Sequence, residues 1–388
     1  MSNAEAVRRF SASFHAAGVR SVLAMTGGGT RLIADLLEVP GGSASVLEAA
    51  VPYSEASLRR FLGQHPDRAC VEETALMMAA RALESAITEC AETDGRPLGV
   101  GVTASLVSSR PKRGPHRVHA AVQSLEGTWS VSLTLSNGSR DRAGEEAVAA
   151  DVARAAIAAA CRLPWTLETR DDERPVTRSA ISAEPVRRVR TGEAAYAVWS
   201  PSEGWSAGEA GPDGISRPAG LLSGSFNPVH VGHRRLREAA EHLLGQPVSY
   251  ELPLRNADKP PLDDLRLQDR LSTLDSTVLL SNAATFREKA AAWPGSGFVI
   301  GMDTAVRVLD PRYYADGLSA ALTEISEAGG RFLVATRWDG RQLWRLADCV
   351  VPADFAGLFE EIPPDVFRED VSSTQIRRGA AAAELRDV

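Results

Sequence analysis

Apolar residues recur along this chain with two periods, and the switches between them mark its elements. Glu72–Ala91 carries Leu76, Ala80, Leu83 and Ile87 on one stripe, which predicts a helix, with Met77 and Met78 beside it as core filler. Glu145–Ala160 reads as a second, closing helix. Strands are expected at Val19–Ala24, Leu98–Thr103, Ala120–Val122 and Trp129–Leu135, the last alternating as a half-buried strand does. Farther along, apolar runs near 219–223, 248–253, 298–301 and 332–336 alternate with helical stretches, the pattern of a parallel sheet covered on both faces. Between the two regions, residues 168–218 are rich in Arg, Glu, Ser, Gly and Pro, with Ala194–Trp199 as an isolated strand inside a connector. The expected organisation is therefore an α/β chain of two domains. An N-terminal α/β domain spans 5–163, a linker 164–218, and a doubly wound parallel-sheet domain 219–388. No internal repeat is visible.

The chemistry concentrates in Gly224–His233, GSFNPVHVGH. It follows the apolar run Gly220-Leu221-Leu222 and leads into Arg234–Leu244, whose Leu236, Ala239, Ala240, Leu243 and Leu244 fall at helical spacing. A strand, a glycine turn and a helix start leave free backbone N–H groups and a favourable dipole for an anion. His230 and His233, three residues apart, share one face of the first helical turn and can both address that anion.

These residues match the GxFxPxHxxH form of the HxGH signature, and the segment resembles that of the nicotinate and nicotinamide mononucleotide adenylyltransferases. Ser372-Ser373-Thr374-Gln375-Ile376-Arg377-Arg378 resembles the SSTxIR segment of that family, and Phe298-Val299-Ile300-Gly301-Met302-Asp303 resembles its strand ending in GxD. Read physically, a hydroxyl of Ser372, Ser373 or Thr374 caps a terminal helix, and Arg377 one turn in offers a planar fork for phosphate oxygens. The resemblance implies a Rossmann-like nucleotidyltransferase domain with His230, His233 and Arg377 as catalytic residues. It implies nucleotide binding by Gly224, Ser225, Phe226, Gly301, Asp303, Ser372, Ser373 and Thr374. Lys259 in Asn256-Ala257-Asp258-Lys259-Pro260 resembles the basic residue after the second strand of the family. Where the family stacks an aromatic ring on the pyridine, Tyr313 and Tyr314 are the nearest candidates. The activity so implied is transfer of the adenylyl group of ATP, with Mg²⁺ carried by the substrate, to a mononucleotide. Nicotinate or nicotinamide mononucleotide is favoured, with pyrophosphate released. Two other readings stay open: a transferase of the same superfamily using CTP or phosphopantetheine, and a regulatory protein that binds nucleotides without turnover.

The first domain resembles, over roughly residues 10–160, the C-terminal amidase domain of the CinA proteins, which deamidates nicotinamide mononucleotide. The resemblance rests on Thr26-Gly27-Gly28-Gly29-Thr30, on Val39-Pro40-Gly41-Gly42-Ser43 and on Tyr53-Ser54-Glu55-Ala56. The family's nucleophilic serine is absent: Thr26 occupies its place in one register and Ala24 in the other. Its lysine position holds Leu58, and Ala104–Pro111 replaces a glycine-rich loop. A hydroxyl needs an adjacent base to attack an amide, so the site Thr26, Tyr53, Leu58 is expected to be degenerate and without amidase activity. Such a domain could serve homo-oligomer formation or hold a pyridine nucleotide. His116 and His119 lack third and fourth ligands and are expected to be solvated loop residues rather than a metal pair.

Composition narrows the partners. A formal charge of −7 argues against a broad nucleic-acid surface, and Cys70, Cys90, Cys161 and Cys349 are too scattered for a disulfide frame or a zinc site. Met1–Phe10 is polar, and no apolar run approaches the ~18 residues of a membrane span. The expected partners are small nucleotides, and the expected location is cytoplasmic.

Overall fold

The structure is a computed structural model that describes residues 3–90, 95–109, 114–207, 218–338 and 341–367. The chain is α/β and divides into two compact units. The first comprises Met1–Ser182 with Asp258–Gln268, the second Ala183–Ala257 with Asp269–Val388.

In the first unit, β1 (Val19–Thr26), β2 (Val46–Ala50), β3 (Arg96–Ser105), β4 (His116–Ser124), β5 (Gly127–Leu135) and β6 (Val176–Ile181) form a sheet ordered β2-β1-β3-β4-β5-β6. The β1 strand runs parallel to β2 and β3, and the remaining pairs are antiparallel. Side chains alternate across the sheet, and the two faces take different helices. Val100, Val102, Val118, Ala120 and Val122 join Val148, Val152 and Ile157 of the helix Arg142–Cys161 in one core. The opposite face receives the helix Glu72–Cys90. There, a Cβ at Gly99 would lie 2.1 Å from the Ala79 carbonyl oxygen, and one at Gly101 2.3 Å from that of Ala75. Glycine at both positions is what lets this helix lie directly on the sheet. Of the expected stripe, Leu76, Ala80 and Leu83 are buried, while Ile87 is exposed near the helix end.

The first unit also takes a segment that the sequence places between two strands of the second. Asp264 is buried and accepts hydrogen bonds from Thr128 Oγ1 (3.1 Å) and Ser182 Oγ (2.8 Å). Leu265 packs with Ala75, Leu76, Ala79, Ala121 and Ala180.

In the second unit the sheet holds β7 (Tyr196–Ser200), β8 (Gly204–Ala207), β9 (Gly220–Ser223), β10 (Val248–Pro253), β11 (Val278–Ser281), β12 (Gly297–Gly301), β13 (Arg331–Ala335) and β14 (Phe359–Ile362). Their order is β14-β13-β12-β9-β10-β11-β7-β8, parallel from β14 to β11 and antiparallel at β7 and β8. From β9 the chain steps through β10 and β11 in one direction, and then through β12, β13 and β14 in the other. Neighbouring strands β9 and β12 thus leave the sheet on opposite courses and open a crevice at their carboxyl ends. The stretch 164–218, expected as a linker, contributes β6 to one sheet and β7 and β8 to the other. Of these, β7 covers most of the strand expected at Ala194–Trp199, whereas the edge strands β6 and β8 escape the apolar pattern.

Candidate functional site at the carboxyl edge of the second sheet

The GSFNPVHVGH segment lies at this crevice. It leaves β9 at Ser223 and reaches the helix Val231–Leu244 through a turn with a cis Asn227–Pro228 bond. The turn has no room for a side chain at Gly224, where a Cβ would stand 2.7 Å from the Phe226 ring. The Gly224 N–H donates to the Glu251 carbonyl of β10 at 3.0 Å. Phe226 takes φ +42°, a left-handed conformation that a bulky residue seldom adopts. Its ring is buried edge-on between His233, 5.1 Å away, and Tyr250, 5.0 Å away.

The two imidazoles are together. Their centroids are 3.9 Å apart, and the backbone N–H of His230 donates to His233 Nδ1 at 3.2 Å. His230 stands at the N-cap in extended conformation, and His233 one turn in. With Nδ1 accepting, a neutral His233 carries its proton on Nε2 and acts there as a donor. Burial, then the proximity of His230, pushes the His233 pKa down to about 4, so this ring is neutral at pH 7.

That depression ties stability to pH. An unfolded chain takes up the proton near pH 6.5 and the folded one only near 4. Folding is therefore favoured less as pH falls through that window. His119 behaves alike, held near 4 by burial and then by Arg117. We expect acid to erode stability between pH 6.5 and 4, by on the order of 3 kcal/mol per ring. The variants His233→Gln and His119→Gln should each flatten that limb in urea titrations. An unchanged limb in both would refute the assignment.

Beneath the turn lies a group that the sequence reading did not single out. Glu251 of β10 is fully buried and receives Lys289 Nζ at 2.7 Å on both carboxylate oxygens, and Ser281 Oγ at 2.5 Å. The available signal was a carboxylate inside the strand-like run Val248–Pro253, in a sheet expected to be covered on both faces.

The other expected site residues fare differently. Gly301 ends β12, and a Cβ there would meet nothing within 4 Å, so the space before it is open. Asp303, the second residue of the short helix Met302–Val308, is 60% exposed and forms an ion pair with Arg337 just beyond β13. Arg337 was not anticipated. Ser225 is half-buried within the turn. Tyr314 corrects an expectation: it is buried, its hydroxyl donates to the Val308 carbonyl at 3.0 Å, and burial raises its pKa to about 12, so its ring is part of the core. Tyr313 is half-buried, with the Arg312 guanidinium 4.6 Å from its ring. Lys259 belongs to the 258–268 segment of the first unit, not to the unit of the histidines. Ser372, Ser373, Thr374 and Arg377 lie outside the described residues.

The first unit holds the candidate amidase residues Thr26, Tyr53 and Leu58. Thr26 is buried and donates to the Pro52 carbonyl at 2.9 Å, Tyr53 is 63% exposed, and Leu58 is core. His116 and His119 are strand residues of β4 rather than solvated loop residues. The strand expected at Ala120–Val122 extends back to His116 through a stretch too mixed in polarity to read. His116 Nδ1 lies 2.7 Å from the buried Glu145 carboxylate, and His119 Nδ1 2.7 Å from Ser132 Oγ on β5. Among the described residues no group of three or more His, Cys, Asp or Glu side chains could hold a metal ion, and no helix is long and apolar enough to cross a membrane.

No family model matches the sequence. One curated relative, a probable nicotinate-nucleotide adenylyltransferase of Trichlorobacter lovleyi, is 28% identical over 93 residues, 24% of this chain and 44% of that protein. The chain thus spans under half the length of the curated relative it matches. Among solved structures, the competence/damage inducible protein CihA from Agrobacterium tumefaciens is 23% identical with a TM-score of 0.33, covering 40% of this chain and 93% of that one. A competence or damage-inducible protein from Enterobacter asburiae is 20% identical with a TM-score of 0.34, covering 42% and 99%.

Proposed function

We propose that the second unit is an adenylyltransferase. It joins the 5′-phosphate of a mononucleotide, nicotinate or nicotinamide mononucleotide, to the α-phosphorus of ATP and releases pyrophosphate. The observation that carries this reading is the pair of touching imidazoles at the switch point between β9 and β12, on the first turn of a fourteen-residue helix. The curated relative's activity supports it.

In such a transfer the attacking oxygen, the phosphorus and the leaving oxygen stand in line, and the protein supplies position and charge compensation rather than a nucleophile. The neutral His233 donates Nε2–H to a phosphate oxygen. His230, at the N-cap, faces the α-phosphate as its negative charge redistributes. Backbone N–H groups of the first helical turn add to that field. Ser225 and Phe226 shape the turn over the nucleotide, and Asp303 stands on the ATP side. Mg²⁺ carried by ATP would be held by substrate oxygens and water rather than by protein ligands, and would offset the triphosphate charge. Ser372, Ser373, Thr374 and Arg377 bind the triphosphate end in this reading.

The test is pyrophosphate release with ATP or CTP against a panel of acceptors: nicotinate mononucleotide, nicotinamide mononucleotide and phosphopantetheine. Release with ATP and a pyridine mononucleotide is expected, and CTP or phosphopantetheine preference would overturn the substrate. For the first unit, whose Thr26 hydroxyl is tied to a backbone carbonyl, we expect no ammonia from nicotinamide mononucleotide above background.

A further inference from the structure

Tyr250 of β10 is fully buried, and its hydroxyl has no hydrogen-bond partner among the described residues. An unpartnered buried hydroxyl costs stability, so what this tyrosine contributes is its ring. That ring joins two residues. Phe226 stands nearly perpendicular to it, with centroids 5.0 Å apart and 76° between the planes, and the Arg237 guanidinium lies 5.2 Å from its centroid. Phe226 in turn meets His233 at 5.1 Å and 79°. His233 and Arg237 are four positions apart on the helix Val231–Leu244, so one helix face meets Phe226 through the first and Tyr250 through the second. Tyr250 is level with Leu222 of β9, the strand from which the histidine turn departs. A bulky residue at positive φ persists only where its surroundings hold it. Phe226, at φ +42°, is held by burial of its ring, and Tyr250 is the aromatic contact that the sheet supplies to it.

We infer that Tyr250 is a positioning residue for the imidazole of His233, acting through the ring of Phe226. Its consequence for turnover rests on the adenylyltransferase reading, whereas the placement of the imidazole does not. Tyr250 keeps Phe226 from turning away, and Phe226 covers one side of His233. The imidazole then stays desolvated and neutral, with Nε2–H free to meet an anion. The titratable neighbour of His233 is His230, and the charged groups around Tyr250 are Arg237, Asp275, Arg234 and Glu238. Burial holds the Tyr250 hydroxyl protonated at pH 7, so an uncharged substitute leaves every one of these charges in place. A change in the titration of His233 then reports its solvation and position rather than a lost charge.

The experiment uses the full chain and three variants. Tyr250→Phe keeps the ring and drops the hydroxyl, while Tyr250→Leu and the longer Tyr250→Met fill the space without a flat ring. Histidine-ring NMR titration, with His233→Gln to assign the signal, reads the imidazole. Pyrophosphate release with ATP and a pyridine mononucleotide reads the rate, and thermal melts show that each variant is folded. In the wild type and in Tyr250→Phe, His233 should titrate near 4, with equal turnover. In Tyr250→Leu and Tyr250→Met it should titrate closer to the 6.5 of a solvated imidazole. There kcat should fall about 10–100-fold with little change in KM for ATP, because a shift of about 1 Å in a catalytic group suffices for such a loss. A merely structural tyrosine would lower the melting temperature and leave both readouts untouched. An unmoved titration and an unmoved kcat in the folded Leu and Met variants overturn the proposal. So does a Tyr250→Phe variant that loses rate as they do, which would assign the effect to the hydroxyl. A shifted titration in a chain whose wild type transfers to no acceptor upholds the positioning and rejects the transferase reading.

Discussion

Replacing His230 by Ala is expected to lower pyrophosphate release by about 10²–10³-fold, the usual loss of one donor that strengthens in the transition state. The fold should survive. His230 is the half-buried N-cap of the helix Val231–Leu244, and the ring that packs against Phe226 belongs to its neighbour His233. The loss should fall on kcat more than on KM for ATP, because the ring compensates charge that shifts only as the phosphorus–oxygen bonds exchange. His230→Asn, which keeps a donor at the N-cap, should recover part of the rate. By contrast His233→Ala would empty the space beside Phe226 and mix stability with rate, so it makes a poorer probe. Steady-state kinetics beside thermal melts separates the two: equal turnover in His230→Ala and the wild type removes His230 from the chemistry.

The legible part of this chain was the part where local rules and global fold agree. The helix Val231–Leu244 followed from Leu236, Ala239, Ala240, Leu243 and Leu244 at helical spacing; the first three are buried, while Leu243 is exposed in the last turn. The placement of His230 and His233 on one turn followed from their spacing alone, and their rings do touch. What spacing could not give is Phe226: its left-handed backbone and buried ring set the position of His233, and nothing in a Gly-Ser-Phe-Asn string announces either. Pairings across strands were equally hidden. Arg337 meets Asp303 because β12 and β13 are neighbours, although 34 positions separate them by number (337 − 303). The same applies to Tyr314, whose aromatic ring suggested stacking and whose hydroxyl serves the Val308 carbonyl instead.

In the first unit, side chains distant in sequence fill the glycine turn Thr26-Gly27-Gly28-Gly29-Thr30, which no local pattern could show. Thr30 Oγ1 donates to Glu146 Oε1 at 2.9 Å, the backbone N–H of Arg31 donates to the same oxygen at 3.2 Å, and Arg142 Nη2 donates to the Gly27 carbonyl at 3.0 Å. A carboxylate already satisfies the donors that a phosphate would need. Together with the hydrogen bond from Thr26 to the Pro52 carbonyl, these bonds give the turn partners within its own unit.

Lys289→Met should destabilise the second unit by about 3–5 kcal/mol, the loss typical of removing one partner from a buried ion pair. Lys289 is 3% exposed and Glu251 0%, so water cannot take over the role of the missing ammonium. Ser281 would remain as a donor to one carboxylate oxygen only. The consequence reaches the site through the backbone, because the carbonyl of Glu251 holds the Gly224 N–H on which the turn stands. Turnover should therefore fall with stability, whereas His230→Ala should lower turnover alone. The double variant Glu251→Leu with Lys289→Met removes both charges and should recover most of the lost stability, since a buried pair replaced by apolar side chains is often neutral. Urea titrations of the two single variants and the double variant form a thermodynamic cycle for this pair. A loss below about 1 kcal/mol in Lys289→Met, the range of an exposed pair, would mean that water reaches Glu251 and that the footing of the turn lies elsewhere.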